Sequence, residues 1–242
     1  GIVENGYSWG GPDQQSNVAF FPLYPLLAKV ASFYTAGNVN IAMFLVSNAA
    51  FLVYLHYLYK LTRREFEESA AQRAILYVAL CPLTFYFSAG YTESLMLALA
   101  TASIYYAREG VWRAAIPLAS LASATRLAGI IVLAPLALAW YQQKKVTLKI
   151  AYLLFVPLGL GLFVLYLWNL TGDPFAFSTV QQAWNHHLVW PWEMFKIAWG
   201  LVRDLPITRY IRAIALLDFG SMVVAASLVA VSFRKLVPTY WV

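Results

Sequence analysis

The stretch Asn40–Leu61 reads NIAMFLVSNAAFLVYLHYLYKL, and it decides the fold class of this chain. Its only charged residue, Lys60, lies next to its end. An apolar helix of about 20 residues is long enough to cross the hydrocarbon core of a bilayer. The 242-residue chain is 61% hydrophobic and 12% charged, whereas about 25% of the residues of a soluble domain are charged. These values, with a mean hydropathy of +0.63, predict an all-α polytopic membrane protein.

Hydropathy and helix-breaking residues divide the chain into seven predicted spans. Several of them are shorter than about 20 residues. We therefore expect their ends to extend into the neighbouring turns, or the helices to lie in a thinned, protein-lined region. The predicted spans are Asn40–Leu61, Arg73–Phe87, Thr92–Tyr106, Trp112–Ala124, Leu127–Tyr141, Leu148–Asn169 and Tyr210–Phe233.

The basic residues alternate with the predicted spans. The turns 60–73, 108–113, 142–149 and 233–236 fall on one side and hold eleven of the 17 Lys and Arg but four of the 11 acids. Short loops that are rich in Lys and Arg face the cytoplasm. We therefore predict that these turns are cytoplasmic, and that anchoring at the membrane, rather than nucleic acid, explains the net charge of +6.

The polar residues that could carry chemistry fall on the opposite, outer face. In its first loop, the apolar run Asn17–Tyr34 begins and ends on the same side and contains Pro22 and Pro25. We expect a re-entrant or interface-lying helix there. The whole chain is predicted to be a single membrane domain, truncated at both ends. It comprises a first outer loop (1–39), six spans (40–169), a second outer loop (170–209) and a last span (210–233).

Glu93 and Arg126 are the strongest candidates for ligand contacts. Glu93 begins a span, where the helix dipole alone stabilises an acid. Alternatively, it faces a surface cavity and binds a sugar hydroxyl or assists a proton transfer. Arg126 ends a hairpin among apolar residues, where it either snorkels to lipid headgroups or binds a phosphate with its planar fork of donors. The phosphate of a lipid carrier lies at this depth, which favours the second role.

Further polar candidates lie in the second outer loop. Asp173 belongs to a Gly-Asp-Pro sequence and either shapes a turn or binds substrate. Gln181 and His186 belong to a polar cluster among aromatic residues. Sugar hydrogen bonding or partial burial suits this cluster better than zinc, because the two adjacent His do not share a helix face. Cys81 is the only cysteine, so we predict no intrachain disulfide and no Cys-based metal site. No other metal site is predicted.

A series of short motifs runs along the chain: Gly6-Tyr7, Gln15–Leu26 (QSNVAFFPLYPL), Tyr91–Ser94 (YTES), Ala124–Arg126 (ATR) and Gly172–Phe177 (GDPFAF), followed by Gln181 and Trp184. In this order they resemble the PIG-V-type mannosyltransferases of the GT-C class. That family includes GPI mannosyltransferase 2 and its bacterial relatives. The similarity extends over nearly the whole chain.

The resemblance implies a GT-C-like helical bundle that works as an integral membrane enzyme. Such an enzyme moves a hexose, usually mannose, from polyprenyl- or dolichyl-phosphate-mannose to a lipid-linked or glycan acceptor on the outer or lumenal face. The lipid-phosphate sugar is a substrate that is already activated, so no cofactor is implied. The family name also implies GPI-anchor biosynthesis. We expect the bacterial plasma membrane as the location, with the ER membrane as the alternative for a eukaryotic protein.

The same resemblance implies which residues bind substrate, and it leaves the general base unassigned. The family places its catalytic acid in the first outer loop, just before the Gly-Tyr motif. That position falls upstream of Gly1, and neither Glu4 nor Asp13 matches it, so we expect a fragment that lacks the base. The predicted substrate-binding residues are Arg126, Glu93, Asp173, Gln181, His186, Asn17 and Tyr24.

Two other classes of function stay open. One is a non-catalytic lipid-binding membrane subunit, and the other is a lipid or sugar transporter. A transporter needs polar residues near the midplane of its spans and a pathway open to both sides. Charge is nearly absent from the predicted midplanes, which disfavours transport.

Overall fold

The computed structural model describes residues 1–143, 148–184, 190–204 and 209–232, and most of these residues are helical, with no β-strand among them. The chain divides into two compact units, Gly1–Trp184 and Asn185–Val242. The predicted all-α fold class is therefore confirmed for the described residues. The α-helices are α1 (Ile2–Asn5), α2 (Leu23–Ser32), α3 (Val39–Glu65), α4 (Glu68–Leu80), α5 (Phe85–Ser88), α6 (Glu93–Arg108), α7 (Trp112–Ser123), α8 (Leu133–Gln142), α9 (Leu158–Thr171), α10 (Ala176–Thr179), α11 (Pro191–Asp204) and α12 (Arg209–Ser232). Segments of 3₁₀-helix cover Asn17–Ala19, Pro82–Thr84, Leu127–Val132, Leu148–Phe155 and Val180–Trp184.

Helix α3 is the long apolar helix that the opening stretch predicts. Its N-terminus is capped by Asn38, whose Oδ1 accepts a hydrogen bond from the N–H of Ile41 at 3.1 Å. Arg63 and Arg64 lie in its last turn, where positive charge is favoured by the helix dipole. The helix therefore extends the predicted span by one residue at its start and one turn at its end.

Two helices of the described residues are long and apolar enough to cross a membrane. One is α3 (Val39–Glu65), and the other is Ala151–Thr171, which joins the end of the 3₁₀ segment Leu148–Phe155 to α9. A third span results if Glu68–Leu80 and Pro82–Ser88 are counted as one helix pair, bent by 68°. The bend falls at Pro82, which has no backbone N–H and cannot continue the hydrogen-bond ladder. The predicted count of seven spans is not confirmed, since only these two or three pass the test of length and apolar composition among the described residues.

The first loop contains a helix where the apolar run Asn17–Tyr34 predicts one. Helix α2 begins after Pro22, whose fixed φ suits the start of a helix, and it packs against α3. The chain then turns at Gly37, where the backbone φ of +82° favours glycine. That α2 is a re-entrant or interface-lying helix stays a prediction.

Small residues let α6, α7 and α8 approach closely. Ser103 of α6 is fully buried and donates a hydrogen bond to the carbonyl of Ala115 in α7 at 2.7 Å. Close backbone approach of this kind is typical of helices that pack within a membrane. The buried alanines of this interface are Ala100, Ala107, Ala115, Ala119 and Ala139.

A second close contact joins α7 to α9. A Cβ atom on Gly159 would lie 2.2 Å from the carbonyl oxygen of Ser120, so only glycine fits there. The Oγ of Ser120 accepts a hydrogen bond from the N–H of Gly159 at 3.2 Å. The Oγ of Ser123 donates to the carbonyl of Val156 at 2.9 Å and accepts from the N–H of Leu160 at 3.2 Å. The end of α7 is thereby held against the start of α9.

Helices α3 and α6 run parallel, which separates the polar residues into two groups. Toward the N-terminal ends, the Oγ of Ser47 donates to the carbonyl of Tyr91 at 3.1 Å. At the C-terminal ends, Arg108 Nη2 lies 2.5 Å from Glu65 Oε1. One end of the helix pair therefore carries the Tyr91–Ser94 motif, and the other carries the basic turns.

The second unit contains α11 and α12, which pack against each other. The rings of Trp199 in α11 and Phe219 in α12 lie 5.5 Å apart between centroids. Trp190 and Trp192 stack at 4.9 Å near the start of α11. Much of the predicted second outer loop is thus helical.

Candidate functional site

Arg126 and Glu93 form an ion pair, although the hairpin of α6 and α7 separates them in sequence. Arg126 Nη1 lies 2.5 Å from Glu93 Oε1 and donates a second hydrogen bond to Thr92 Oγ1 at 3.0 Å. The side chains of Arg126 and Glu93 are 43% and 30% exposed, so a solute can reach both. The structure therefore brings together the two residues that the sequence ranks highest.

Two local features position this pair. Glu93 begins α6, where the dipole of the helix favours a carboxylate. Arg126 precedes the 3₁₀ segment Leu127–Val132, and its carbonyl accepts a hydrogen bond from the N–H of Gly129 at 2.9 Å. That turn packs so closely on α7 that a Cβ on Gly129 would lie 2.0 Å from the carbonyl oxygen of Ala122. The glycine therefore fixes the direction in which Arg126 leaves the helix hairpin.

The pair has hydrogen-bonding capacity to spare among the described residues. Glu93 Oε2 is buried and has no hydrogen-bond partner there. The neighbouring Ser94 is fully buried, and its Oγ is also without a partner within the described part of the chain. A guanidinium has five N–H donors, and both hydrogen bonds of Arg126 come from Nη1. Buried polar atoms are normally satisfied, so the unmet Glu93 Oε2 next to the partly exposed Arg126 marks this region as a candidate polar site.

Tyr24, in the FFPLYP motif, contacts the same region from α2. Its side chain is 3% exposed, and its hydroxyl lies 2.9 Å from the carbonyl oxygen of Met43 and 2.8 Å from Ser47 Oγ. Because Ser47 in turn donates to the carbonyl of Tyr91, Tyr24 is linked to the turn that leads into Glu93. Sequence reasoning missed Ser47, whose only signal is a hydroxyl inside an otherwise apolar span.

The Arg126 motif is linked to α2 as well. The N–H of Leu23 donates to the carbonyl of Ala124 at 3.2 Å. Motifs that lie far apart in the sequence thus meet at one end of the helices. These are Gln15–Leu26, Tyr91–Ser94 and Ala124–Arg126.

Asn17 holds the first motif in place. Its Oδ1 accepts from the N–H of Ser8 at 2.8 Å, and its Nδ2 donates to the carbonyl of Gly6 at 3.0 Å. Tyr7, between them, donates its hydroxyl to the carbonyl of Phe20 at 2.7 Å, and burial raises the pKa of this hydroxyl. Both polar atoms of Asn17 therefore bind the backbone of the first loop. These two hydrogen bonds give Asn17 a structural role in the motif.

Asp173 has a local structural role. Its Oδ1 accepts from the N–H of Phe175 at 2.8 Å, and its Oδ2 accepts from the hydroxyl of Thr179 at 2.8 Å. The first contact forms a turn just before the short helix α10, and the second connects Asp173 to Thr179 at the end of that helix, as expected for an Asp in a turn. The same motif contributes Phe177, whose ring lies 5.4 Å from that of Phe21. The motif Gly172–Phe177 thus packs on the first loop.

Gln181 lies close to the first loop as well, whereas His186 lies outside the described residues. Gln181 is half-buried in the 3₁₀ segment Val180–Trp184, which contacts the segment Asn17–Ala19. Gln15 Nε2 donates to the carbonyl of Ala183 at 3.4 Å in the same contact. The described residues contain no group of three or more His, Cys, Asp or Glu side chains placed to hold a metal ion.

Comparison with protein families gives one match. Residues 14–142 match the model of the MptA_B family, described as alpha-(1->6)-mannopyranosyltransferase, N-terminal domain. No curated protein and no solved structure matches the chain. The match includes Tyr24, Glu93 and Arg126, and it supports a mannosyltransferase without supporting the PIG-V type specifically. Together with the apolar helices, it indicates a membrane protein. The chain belongs to the MptA_B family of alpha-(1->6)-mannopyranosyltransferases.

Proposed function

We propose that this chain is part of a GT-C-type membrane enzyme that transfers mannose from a polyprenyl- or dolichyl-phosphate donor. The acceptor is a lipid-linked sugar or a glycan on the non-cytoplasmic face, and the description of the matched family favours an α-(1→6) linkage. The observation that carries this proposal is the Arg126–Glu93 pair, which lies in the family-matched region and retains unused donors and an unused acceptor.

Arg126 is proposed to bind the donor phosphate. A guanidinium binds phosphate oxygens with a planar fork of donors and stays charged at every relevant pH. Glu93 and Thr92 both engage Nη1, which orients the side chain and leaves Nε and Nη2 for the ligand. When the bond between the sugar C1 and the phosphate oxygen breaks, the leaving phosphate gains negative charge. Fixed N–H donors at that position stabilise the transition state.

Glu93 is proposed to have two roles, one for each carboxylate oxygen. Oε1 positions Arg126, while Oε2 accepts a hydrogen bond from a sugar hydroxyl. In the transfer, the acceptor oxygen forms a new bond to C1, and its proton passes to a carboxylate base. Glu93 is not proposed as that base, and the base is left unassigned.

The membrane arrangement is part of the same proposal. Seven spans with the Lys- and Arg-rich turns in the cytoplasm place Glu93 and Arg126 on the non-cytoplasmic face. The parallel course of α3 and α6 supports this, because it puts Glu65 and Arg108 at the opposite end from Tyr91 and Glu93. Gln181 and His186 are proposed as further sugar contacts, while Tyr24, Asn17 and Asp173 are proposed to shape the site through the hydrogen bonds described above. The proposed location is the bacterial plasma membrane.

Transfer of radiolabelled mannose from polyprenyl-phosphate-mannose, measured with the full-length enzyme in membranes, tests the assignment. We expect Arg126→Ala and Glu93→Gln to abolish transfer while the protein remains at normal abundance in the membrane. Arg113→Ala is the matched control, because Arg113 is exposed and lies at the other end of the helices. Wild-type turnover in both site variants would contradict the proposed site. Retained donor binding by a complete protein that never transfers would instead identify a lipid-binding subunit.

A further inference from the structure

The end of α3 opposite to the Arg126–Glu93 pair carries a groove that the proposed transfer reaction does not use. The groove has a volume of about 440 Å³ and lies between the C-terminal turns of α3 and α6. Helix α6 contributes Tyr105, and Glu109 follows at its end. The residues that α3 contributes are His56, Tyr59, Lys60, Arg63 and Arg64.

The length of α3 locates this groove relative to the bilayer. With a rise of 1.5 Å per residue, a helix of 27 residues is about 40 Å long. The hydrocarbon core is about 30 Å thick, so one or more turns of α3 extend beyond it. Since Lys60, Arg63 and Arg64 occupy the last turns of the helix, they reach the level of the lipid headgroups.

The charge of the groove is positive. Lys60, Arg63 and Arg64 line it together with a single carboxylate, that of Glu109. Arg64 forms ion pairs with Glu109 and with Glu65, whose Oε1 lies 3.8 Å from Arg64 Nε. Arg63 Nε lies 2.8 Å from Glu68 Oε2, but both side chains are largely exposed, so this pair is weak and exchangeable.

Lys60 is the cation that is best placed to meet a ligand. Its Nζ lies 5.1 Å from the ring centroid of Tyr105 and 5.8 Å from that of Tyr57. Within the described part of the chain it forms no ion pair with a carboxylate. The two rings therefore hold an ammonium group in the groove without neutralising it.

From this arrangement we propose that the groove binds the phosphate of an anionic phospholipid headgroup. Basic pockets between membrane helices bind such headgroups, and each Lys or Arg near the surface contributes about fivefold to the affinity for an anionic lipid. The acyl chains of a lipid bound there lie along the apolar surface of α3. The site is separate from the donor site, and its occupant is a structural lipid rather than a substrate.

Native mass spectrometry of the purified full chain tests this assignment. The chain is placed in nanodiscs of equal parts phosphatidylglycerol and phosphatidylcholine and then released, and the retained lipids are counted. We expect phosphatidylglycerol to be retained several-fold over phosphatidylcholine. The double variant Lys60→Gln with Arg63→Gln is expected to lose this preference, while Lys60→Arg keeps it.

A charge-matched control separates a site from general attraction. Lys29→Gln with Arg113→Gln removes the same charge from exposed residues outside the groove, and it should retain the wild-type preference. Equal loss in both double variants, or no loss in the groove variant, would overturn the proposal. Displacement of phosphatidylglycerol by millimolar inorganic phosphate would also overturn it, because the site would then select a free anion. Circular dichroism confirms that each variant is folded.

Discussion

The backbone N–H of Leu23 donates a hydrogen bond to the carbonyl of Ala124 at 3.2 Å. Through this bond the helix of the first loop is attached to the turn that carries Arg126. Tyr24, the next residue, is attached through its hydroxyl and Ser47 to the turn that carries Glu93. Helix α2 is thus connected to the turns that carry Arg126 and Glu93. A change in α2 is therefore expected to alter the proposed donor site.

Tyr24→Phe tests this connection. The substitution removes the Tyr24 hydroxyl, which lies within hydrogen-bonding distance of the Met43 carbonyl oxygen and of Ser47 Oγ. Both atoms then lose this partner. We expect a loss of about 1–2 kcal/mol in the free energy of unfolding and a several-fold lower rate of mannose transfer. Thermal unfolding in detergent and the transfer assay measure the two effects. Tyr34→Phe is the control, since Tyr34 is exposed, and an equal effect there would contradict the prediction.

The geometry of Arg126 predicts a graded response to substitution. Lysine keeps the positive charge but loses the planar fork of donors. We expect Arg126→Ala to lower kcat about 100-fold or more, as removal of one preorganised donor typically does. Arg126→Lys should recover part of this loss through its charge. Steady-state kinetics with polyprenyl-phosphate-mannose measures both variants, and full activity of Arg126→Lys would show that the fork is not used.

Gly159 predicts a packing defect. A Cβ there would lie 2.2 Å from the carbonyl oxygen of Ser120, which is backbone and cannot move aside without shifting α7 or α9. We expect Gly159→Ala to lower the free energy of unfolding by about 1–3 kcal/mol. Gly161→Ala is the matched control in the same helix, because a Cβ at Gly161 meets nothing within 4 Å. Equal melting temperatures of the two variants would mean that α7 and α9 are not in contact.

The ion pair of Glu65 and Arg108 predicts a stability effect at the other end of the helices. The side chains are 18% and 15% exposed, and Arg108 also donates to Gln142 Oε1 at 3.0 Å. Arg108→Gln removes the closer of two cations from Glu65, since Arg64 Nε lies 3.8 Å from Glu65 Oε1 and remains. Breaking a buried pair typically costs about 3–5 kcal/mol. Because both groups keep some solvent contact, we expect a loss near the lower end of that range.

Arg63→Gln is the control for this pair, since it breaks the exposed contact with Glu68, which is worth at most about 1 kcal/mol. Thermal unfolding of both variants in the same detergent gives the comparison. A smaller loss for Arg108→Gln than for Arg63→Gln would contradict the assignment of Glu65–Arg108 as the structural pair.

Helices whose formation depends on residues close together in the sequence could be predicted from the sequence alone. Helix α3 is confirmed to within a turn, because an apolar run and a capping Asn38 act locally. The predicted mannosyltransferase is also supported by the family match, although the PIG-V type is not. The count of seven spans is not confirmed, because hydropathy alone does not distinguish a membrane-length helix from a shorter packed one.

The partners of each functional side chain depend on packing between distant segments. The motifs containing Glu93 and Arg126 were visible, but their contact at 2.5 Å requires α6 and α7 to approach through alanines and Gly129 to fold the following turn. Nothing local to Asn17 indicated that both its polar atoms would bind backbone at Gly6 and Ser8. Hydropathy and motifs thus establish which segments are helical and which residues are candidates. The close fit of small residues establishes which candidates meet, because side chains interact over a few ångströms in space and not along the chain.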